Sequence, residues 1–190
     1  MFILGSHNSW SFLKERDWWM LITRPFAKCQ DIDIESQFNV GVRCFDLRLR
    51  FDEDSKLFLV CHGETIYNSF LEDDLDYLNV QASKIEGPLY IRVLLEDSGN
   101  RDDVVDSYFY DACLNLENKY KHIKFFGGWA ARKRWRKIIY PFKHNPSVEE
   151  NHASVKGKWY EKIPYIYSII HNLQIVSNGT NKEILMIDFI

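Results

Sequence analysis

One device recurs along this chain and limits what it can fold into: an apolar run that ends in a titratable side chain. Residues 1–6 empty through Gly5 and Ser6 into His7 and Asn8, and residues 57–61 end at His62 and Gly63. Residues 42–49 carry Asp46 and Arg48, and residues 184–187 end at Asp188. Short apolar runs bounded by turn residues are buried strands. A strand that opens into Gly-Ser-His sets an imidazole at the lip of a sheet or barrel, where a ligand can reach it.

Between these runs the spacing predicts helices. Residues 31–38 read as a short helix stopped by Gly41, and residues 71–85 as a longer one ending near Gly87 and Pro88. Val105, Phe109, Ala112 and Leu116 recur at helical spacing. Pro164 opens a helix whose Ile166, Ile169, Ile170 and Leu173 share one face. Residues 89–97 form an almost continuous apolar run ending in acid, typical of a strand covered on both faces. Residues 122–128 read as another strand, and residues 138–142 and 151–155 as weaker ones. The linker from Asp52 to Lys56 is too short for a parallel crossover, so the strands around it form a hairpin. Asp46, Arg48 and Arg50 then share one face of the first strand, with Phe45, Leu47 and Leu49 on the other.

Strands alternating with helices, each strand ending in polar residues, predict an α/β fold. The expected architecture is an irregular or incomplete TIM-type (β/α)8 barrel with its site at the C-terminal ends of the strands. A chain of 190 residues is one domain by length. It starts in a functional strand and stops two residues after Asp188, which reads as a domain trimmed at both ends with no leader segment. No apolar run is long enough to span a bilayer. The net charge of −3 implies no general grip on polyanions, so nucleic acid is not an expected partner. Cys29, Cys44, Cys61 and Cys113 lack the spacing of a zinc site and read as buried thiols. Facing strands could still pair Cys44 with Cys61.

Two histidines, an arginine and two carboxylates at strand ends are the inventory of a phosphodiester-cleaving site. The motifs that carry them are Leu4 to Asn8, Gln37 to Arg48, Val60 to Gly63 and Met186 to Phe189, with an approach segment at residues 19–30. In that order they resemble the catalytic X domain of phosphatidylinositol-specific phospholipase C, in its bacterial form. Residues 118–181 match poorly and look shortened.

The resemblance implies that His7 is the general base and Asp188 its orienting carboxylate. It makes Arg48 the phosphate ligand and His62 the general acid. The reaction would give diacylglycerol and a cyclic inositol phosphate. Bacterial relatives carry an aspartate where this chain has Asn8, so His62 is a weaker acid here or Asp46 assists it. Eukaryotic relatives use such an asparagine to bind calcium, and Asn8, Asp46 and Glu96 would form that oxygen set. Arg48 stands where those enzymes place a further acidic ligand, so the expectation is catalysis without a metal, with calcium as the alternative.

Leu95 is aligned with a headgroup-contacting lysine of bacterial relatives, and it cannot bond a hydroxyl. Asn8, Glu96, Arg132, Arg134 and His152 are the remaining candidates for substrate contact. Trp18 and Trp19 are candidates for membrane contact, although adjacent tryptophans usually leave one ring buried. The expected partners are a phospholipid or inositol-phosphate substrate and, transiently, a membrane surface. The resemblance implies a secreted or cell-envelope setting. A calcium-dependent phosphodiesterase of the same superfamily, and a catalytically silent lipid- or inositol-binding module, are the competing readings.

Overall fold

The structure is a computed structural model that describes residues 2–69, 71–96, 103–130, 142–158 and 161–190. Its frame is a curled sheet. Six strands run parallel in the order β6 (Ile123–Ala130), β5 (Leu89–Leu95), β2 (Cys44–Asp52), β1 (Ile3–Ser6), β8 (Ile184–Ile187) and β7 (Val148–Asn151). The outer half of β2 forms a hairpin with β3 (Leu57–His62), which adds the two-residue β4 (Thr65–Ile66). Among the described residues β6 and β7 are not paired. The sheet therefore curls as a barrel does without closing, the incomplete barrel that the strand spacing predicts.

The chain's two ends meet at β1 and β8. Register pairs Ile3 with Ile184 and Ser6 with Ile187. Gly5 suits that approach: a Cβ there would sit 3.1 Å from the Met186 sulfur, which would have to give by a few tenths of an ångström. Helices α3 (Leu71–Ala82) and α4 (Asp103–Lys119) lie beside the sheet. Their Leu75, Leu78, Phe109 and Cys113 join outward-facing Phe45, Leu47, Ile91, Val93 and Leu95 in the main core. Helix α2 (Ile34–Asn39) starts where Asp33 accepts a hydrogen bond from the Ser36 amide at 2.7 Å, an N-cap that satisfies one orphan donor.

Several expectations change. Pro25 would be expected to break the segment after His7, and it does not. It sits in the first turn of α1 (Arg24–Ala27), which follows a 3-10 helix at Trp18–Ile22, because proline's fixed φ suits a helix start. Both tryptophans are exposed, Trp18 at 82% and Trp19 at 48%, instead of one being buried. Residues 151–155 are not a strand: β7 ends at Asn151 and a helical turn, α5 (Ala153–Lys156), follows.

Helix α6 (Pro164–Asn178) has the apolar face that its spacing predicts, but that face points outward. Pro164, Tyr167 and Ser168 are its buried residues, while Ile169, Ile170 and Leu173 are exposed, Leu173 at 89%. All four cysteines are free. Extending the antiparallel register of β2 and β3 sets Cys61 opposite Arg48, four residues and about 13 Å along the strand from Cys44, so no disulfide can join them.

Candidate active site

The C-terminal ends of β1, β2, β3, β5 and β8 deliver one cluster of polar side chains. A serine-rich turn shapes its floor. The Ser9 hydroxyl accepts from the Asp46 amide at 2.7 Å, and the Asn8 amide donates to the Asp46 carboxylate at 3.0 Å, with Asn8 at a φ of 46°. The buried Gln30 amide donates to the His7 carbonyl at 3.1 Å and the Ile187 carbonyl at 3.2 Å. Its oxygen accepts from the Ile190 amide at 3.1 Å. One side chain thus holds the ends of β1 and β8 together.

His7 lies between Asp188, 2.6 Å from its Nδ1, and Arg48, whose Nη2 is 2.7 Å from its Nε2. A guanidinium can only donate, so Nε2 is the bare nitrogen and Nδ1 carries the proton toward Asp188. That is the tautomer of a base aimed at the pocket. The other Asp188 oxygen accepts from the Ala153 amide at 2.9 Å. Burial, with His152 and Arg48 adding to it, holds the His7 pKa well below its ordinary value. Burial likewise raises Asp188, against the Ala153 hydrogen bond.

Arg48 is the hub. Its Nε donates to Asp46 at 2.9 Å and its Nη1 to Glu96 at 2.5 Å. Burial alone would raise both carboxyls, but Arg48, with Arg92 at Asp46, holds each below the usual range. The second Glu96 oxygen takes the Gly63 amide. His62 stands edge-on to His7, ring centroids 5.6 Å apart at 90°, and donates from Nδ1 to the Ala27 carbonyl at 2.7 Å. Its pKa is lowered by burial and then by Arg48, with Glu96 opposing. Beside it a cleft of about 250 Å³ is lined by Thr23, Phe26, Ala27, Gly63, Glu64 and Thr65.

The structure therefore brings His7, Asn8, Asp46, Arg48, His62, Glu96 and Asp188 together. Arg132 and Arg134 lie outside the described residues. His152 does reach the cluster: it stacks on His7 at 3.6 Å with the rings nearly parallel, and its Nε2 is 3.4 Å from Glu150. Leu95 faces the helices and is not a headgroup position, because β2 pairing sets Arg48 beside Leu94 and gives the inward parity to Arg92, Leu94 and Glu96.

Arg92 and Glu150 escaped sequence reading. Arg92 is buried and donates from Nε to Asp46 at 2.7 Å and from Nη1 to Glu150. With the His152 hydrogen bond first among the causes, the Glu150 carboxyl is held at about 2. A lone arginine in the apolar run 89–95 was the available signal.

Asp46 and Glu96, two of the three oxygen donors expected for calcium, both pair with Arg48 in this arrangement. The Arg48 guanidinium already bonds both carboxylates and would share their oxygens with a divalent cation.

Among the described residues no helix is long and apolar enough to cross a membrane. No protein-family profile matches the chain, and no curated protein matches it by sequence. Solved structures do. The phosphatidylinositol-specific phospholipase C of Listeria monocytogenes superposes with a TM-score of 0.62 at 16% identity, over 100% of this chain and 88% of that one. A Staphylococcus aureus phosphatidylinositol-specific phospholipase C, solved in work on modulation of its membrane binding, gives 0.60 at 16% identity over 98% and 85%. The chain has the fold of the bacterial phosphatidylinositol-specific phospholipases C.

Proposed function

We propose that this chain is a phosphodiesterase that cleaves phosphatidylinositol or a related glycerophospholipid without a metal ion. The observation that carries the reading is His7 held between Asp188 and Arg48 with His62 5.6 Å away. His7 Nε2 takes the proton of the inositol 2-hydroxyl as that oxygen attacks phosphorus. Asp188 keeps the tautomer and stabilises the imidazolium that forms. His62 protonates the diacylglycerol oxygen as it leaves, and a cyclic inositol phosphate remains. Arg48 keeps its charge at any working pH and can turn its Nη2 from His7 to the phosphate oxygens, where negative charge builds. Asp46 and Glu96 hold the guanidinium in place for that role.

The exposed apolar surface supports a lipid substrate. Helix α1 packs on α6, and Trp18, Ile22 and Phe26 with Ile169, Ile170 and Leu173 make an uncovered rim. Between the two helices a groove of about 520 Å³ is lined by Leu21, Pro25, Ile163, Tyr165 and Phe189, the residue after Asp188, with the charged Arg24, Lys28 and Asp31 beside them. Patches of this kind mark interaction surfaces, and indole at such a rim suits a bilayer interface. The variant Ile169→Ser/Leu173→Ser is expected to lower partitioning onto phosphatidylinositol vesicles by about 10-fold or more, since burying one such side chain is worth ~1.5–3 kcal/mol. Sedimentation with vesicles measures it. Unchanged partitioning would remove α6 from the interface.

The deciding assay is headgroup release from phosphatidylinositol vesicles in excess EDTA and again with added calcium. Cyclic inositol phosphate in EDTA is the expected product. Release only with calcium favours the metal-dependent reading. Vesicle binding with no release under either condition favours the silent module.

A further inference from the structure

The proposed chemistry leaves one buried thiol at the site unused. Cys29 follows α1 and is fully buried. Its amide donates to the Ser11 hydroxyl at 2.8 Å, and its carbonyl accepts from the Phe189 amide at 2.7 Å. Its thiol donates to the Ala27 carbonyl at 3.5 Å, and its sulfur lies 3.8 Å from His62 Nδ1. One ring nitrogen each of His7 and His62 and this sulfur all lie within 4.8 Å of one another. These donors come from three separate parts of the chain, and no two are local neighbours.

We propose that His7, Cys29 and His62 bind a borderline-soft divalent cation, zinc foremost, in a site that switches the catalytic pair off. Two imidazoles and a thiolate match zinc, whereas calcium and magnesium demand oxygen. Ideal tetrahedral zinc puts such donors ~3.3–3.6 Å apart, so closure takes about an ångström of side-chain movement. Each imidazole is anchored through Nδ1, His7 by Asp188 and His62 by the Ala27 carbonyl. For His7, Asp188 is the outer partner that holds a zinc-binding histidine; His62 instead presents Nδ1 to the sulfur at 3.8 Å and would exchange the Ala27 carbonyl for the metal.

The ion takes both imidazoles in their neutral form. Burial raises the thiol, so binding displaces its proton: zinc and Cys29–SH give the zinc thiolate and one proton to solvent. Asp188 offsets the added charge and Arg48 opposes it. An ion held by both imidazoles takes the lone pair that the base needs and keeps the acid from carrying its proton to the substrate. Binding does not depend on the phosphodiesterase reading, whereas inhibition rests on it.

Cobalt titration of the metal-free protein is the test, because thiolate ligation gives cobalt a charge-transfer absorption. The expected result is one equivalent bound with that band, displaced by zinc, and zinc-inhibited headgroup release that EDTA restores. Cys29→Ser should lose the band and bind zinc at least about 10-fold more weakly, since even outer partners of a metal are worth that much. Its cleavage is read against its own metal-free rate. Should that variant misfold by circular dichroism, zinc protection of Cys29 in the unsubstituted protein decides: its alkylation over long incubation, through the openings that expose a buried thiol, is located by peptide mass. Absence of stoichiometric cobalt binding, a band that survives in Cys29→Ser, or alkylation unaffected by zinc would each overturn the proposal. If no lipid is cleaved at all, the cobalt and alkylation results still stand, and only the phosphodiesterase reading fails.

Discussion

Replacing His7 with alanine is expected to slow cyclic inositol phosphate release by about 10²–10⁴-fold, the span that general acid–base catalysis covers. The loss should fall on kcat, with little change in KM, because a buried imidazole bonded to Asp188 and Arg48 adds little to ground-state binding. The pH–rate curve tests the assignment further. Activity needs His7 neutral and His62 protonated, and both imidazoles are held below their ordinary values. The maximum should therefore lie on the acid side of about 6.5, the unperturbed imidazole pKa. The variant should lose the acid limb, which reports the base. An alkaline optimum, or a His7→Ala enzyme with unchanged kcat, would remove His7 from the chemistry.

Replacing Arg48 with alanine should cost both turnover and stability. The side chain is nearly buried and bonds Asp46, Glu96 and His7 at once. Its removal strands carboxylates that the fold keeps ionised, and breaking a buried pair in this way costs ~3–5 kcal/mol. For a chain of this size that lowers the melting midpoint by roughly 6–20 °C. The sign with pH follows from the carboxyls. Folding lowers the pKa of Asp46 and Glu96, so their stabilisation is complete above the unfolded carboxyl value of about 4 and fades as pH falls through the folded values. The gap between Arg48→Ala and the unsubstituted protein should therefore be widest near neutrality and narrow in acid. Thermal melts at several pH values measure it, and a constant gap would mean that Arg48 acts by packing alone.

Much of this site was legible in the sequence because strand ends carry local signals. Gly5-Ser6 before His7 and Gly63 after His62 mark where strands open, and the short linker at residues 52–56 requires the hairpin that carries Arg48. What escaped depends on parity and direction. Arg92 passed for part of an apolar run because six hydrophobic neighbours surround it, and only the β2 register turns it inward beside Asp46. The same register removes Leu95 from the pocket. In α6 the period of 3.6 identifies an apolar face, but a period cannot say whether protein or solvent lies against it. His152 was named as a headgroup contact, and its stacking on His7 depends on the turn after β7, which no motif announces.

The Gln30 clamp has a consequence for how the molecule is made. His7 and its partner Asp188 are 181 positions apart along the chain, joined where the first strand meets the last. A contact of such sequence separation forms late and slowly. During synthesis the imidazole precedes its carboxylate and stays without it until β8 leaves the ribosome. An immature chain is in that sense chemically disarmed.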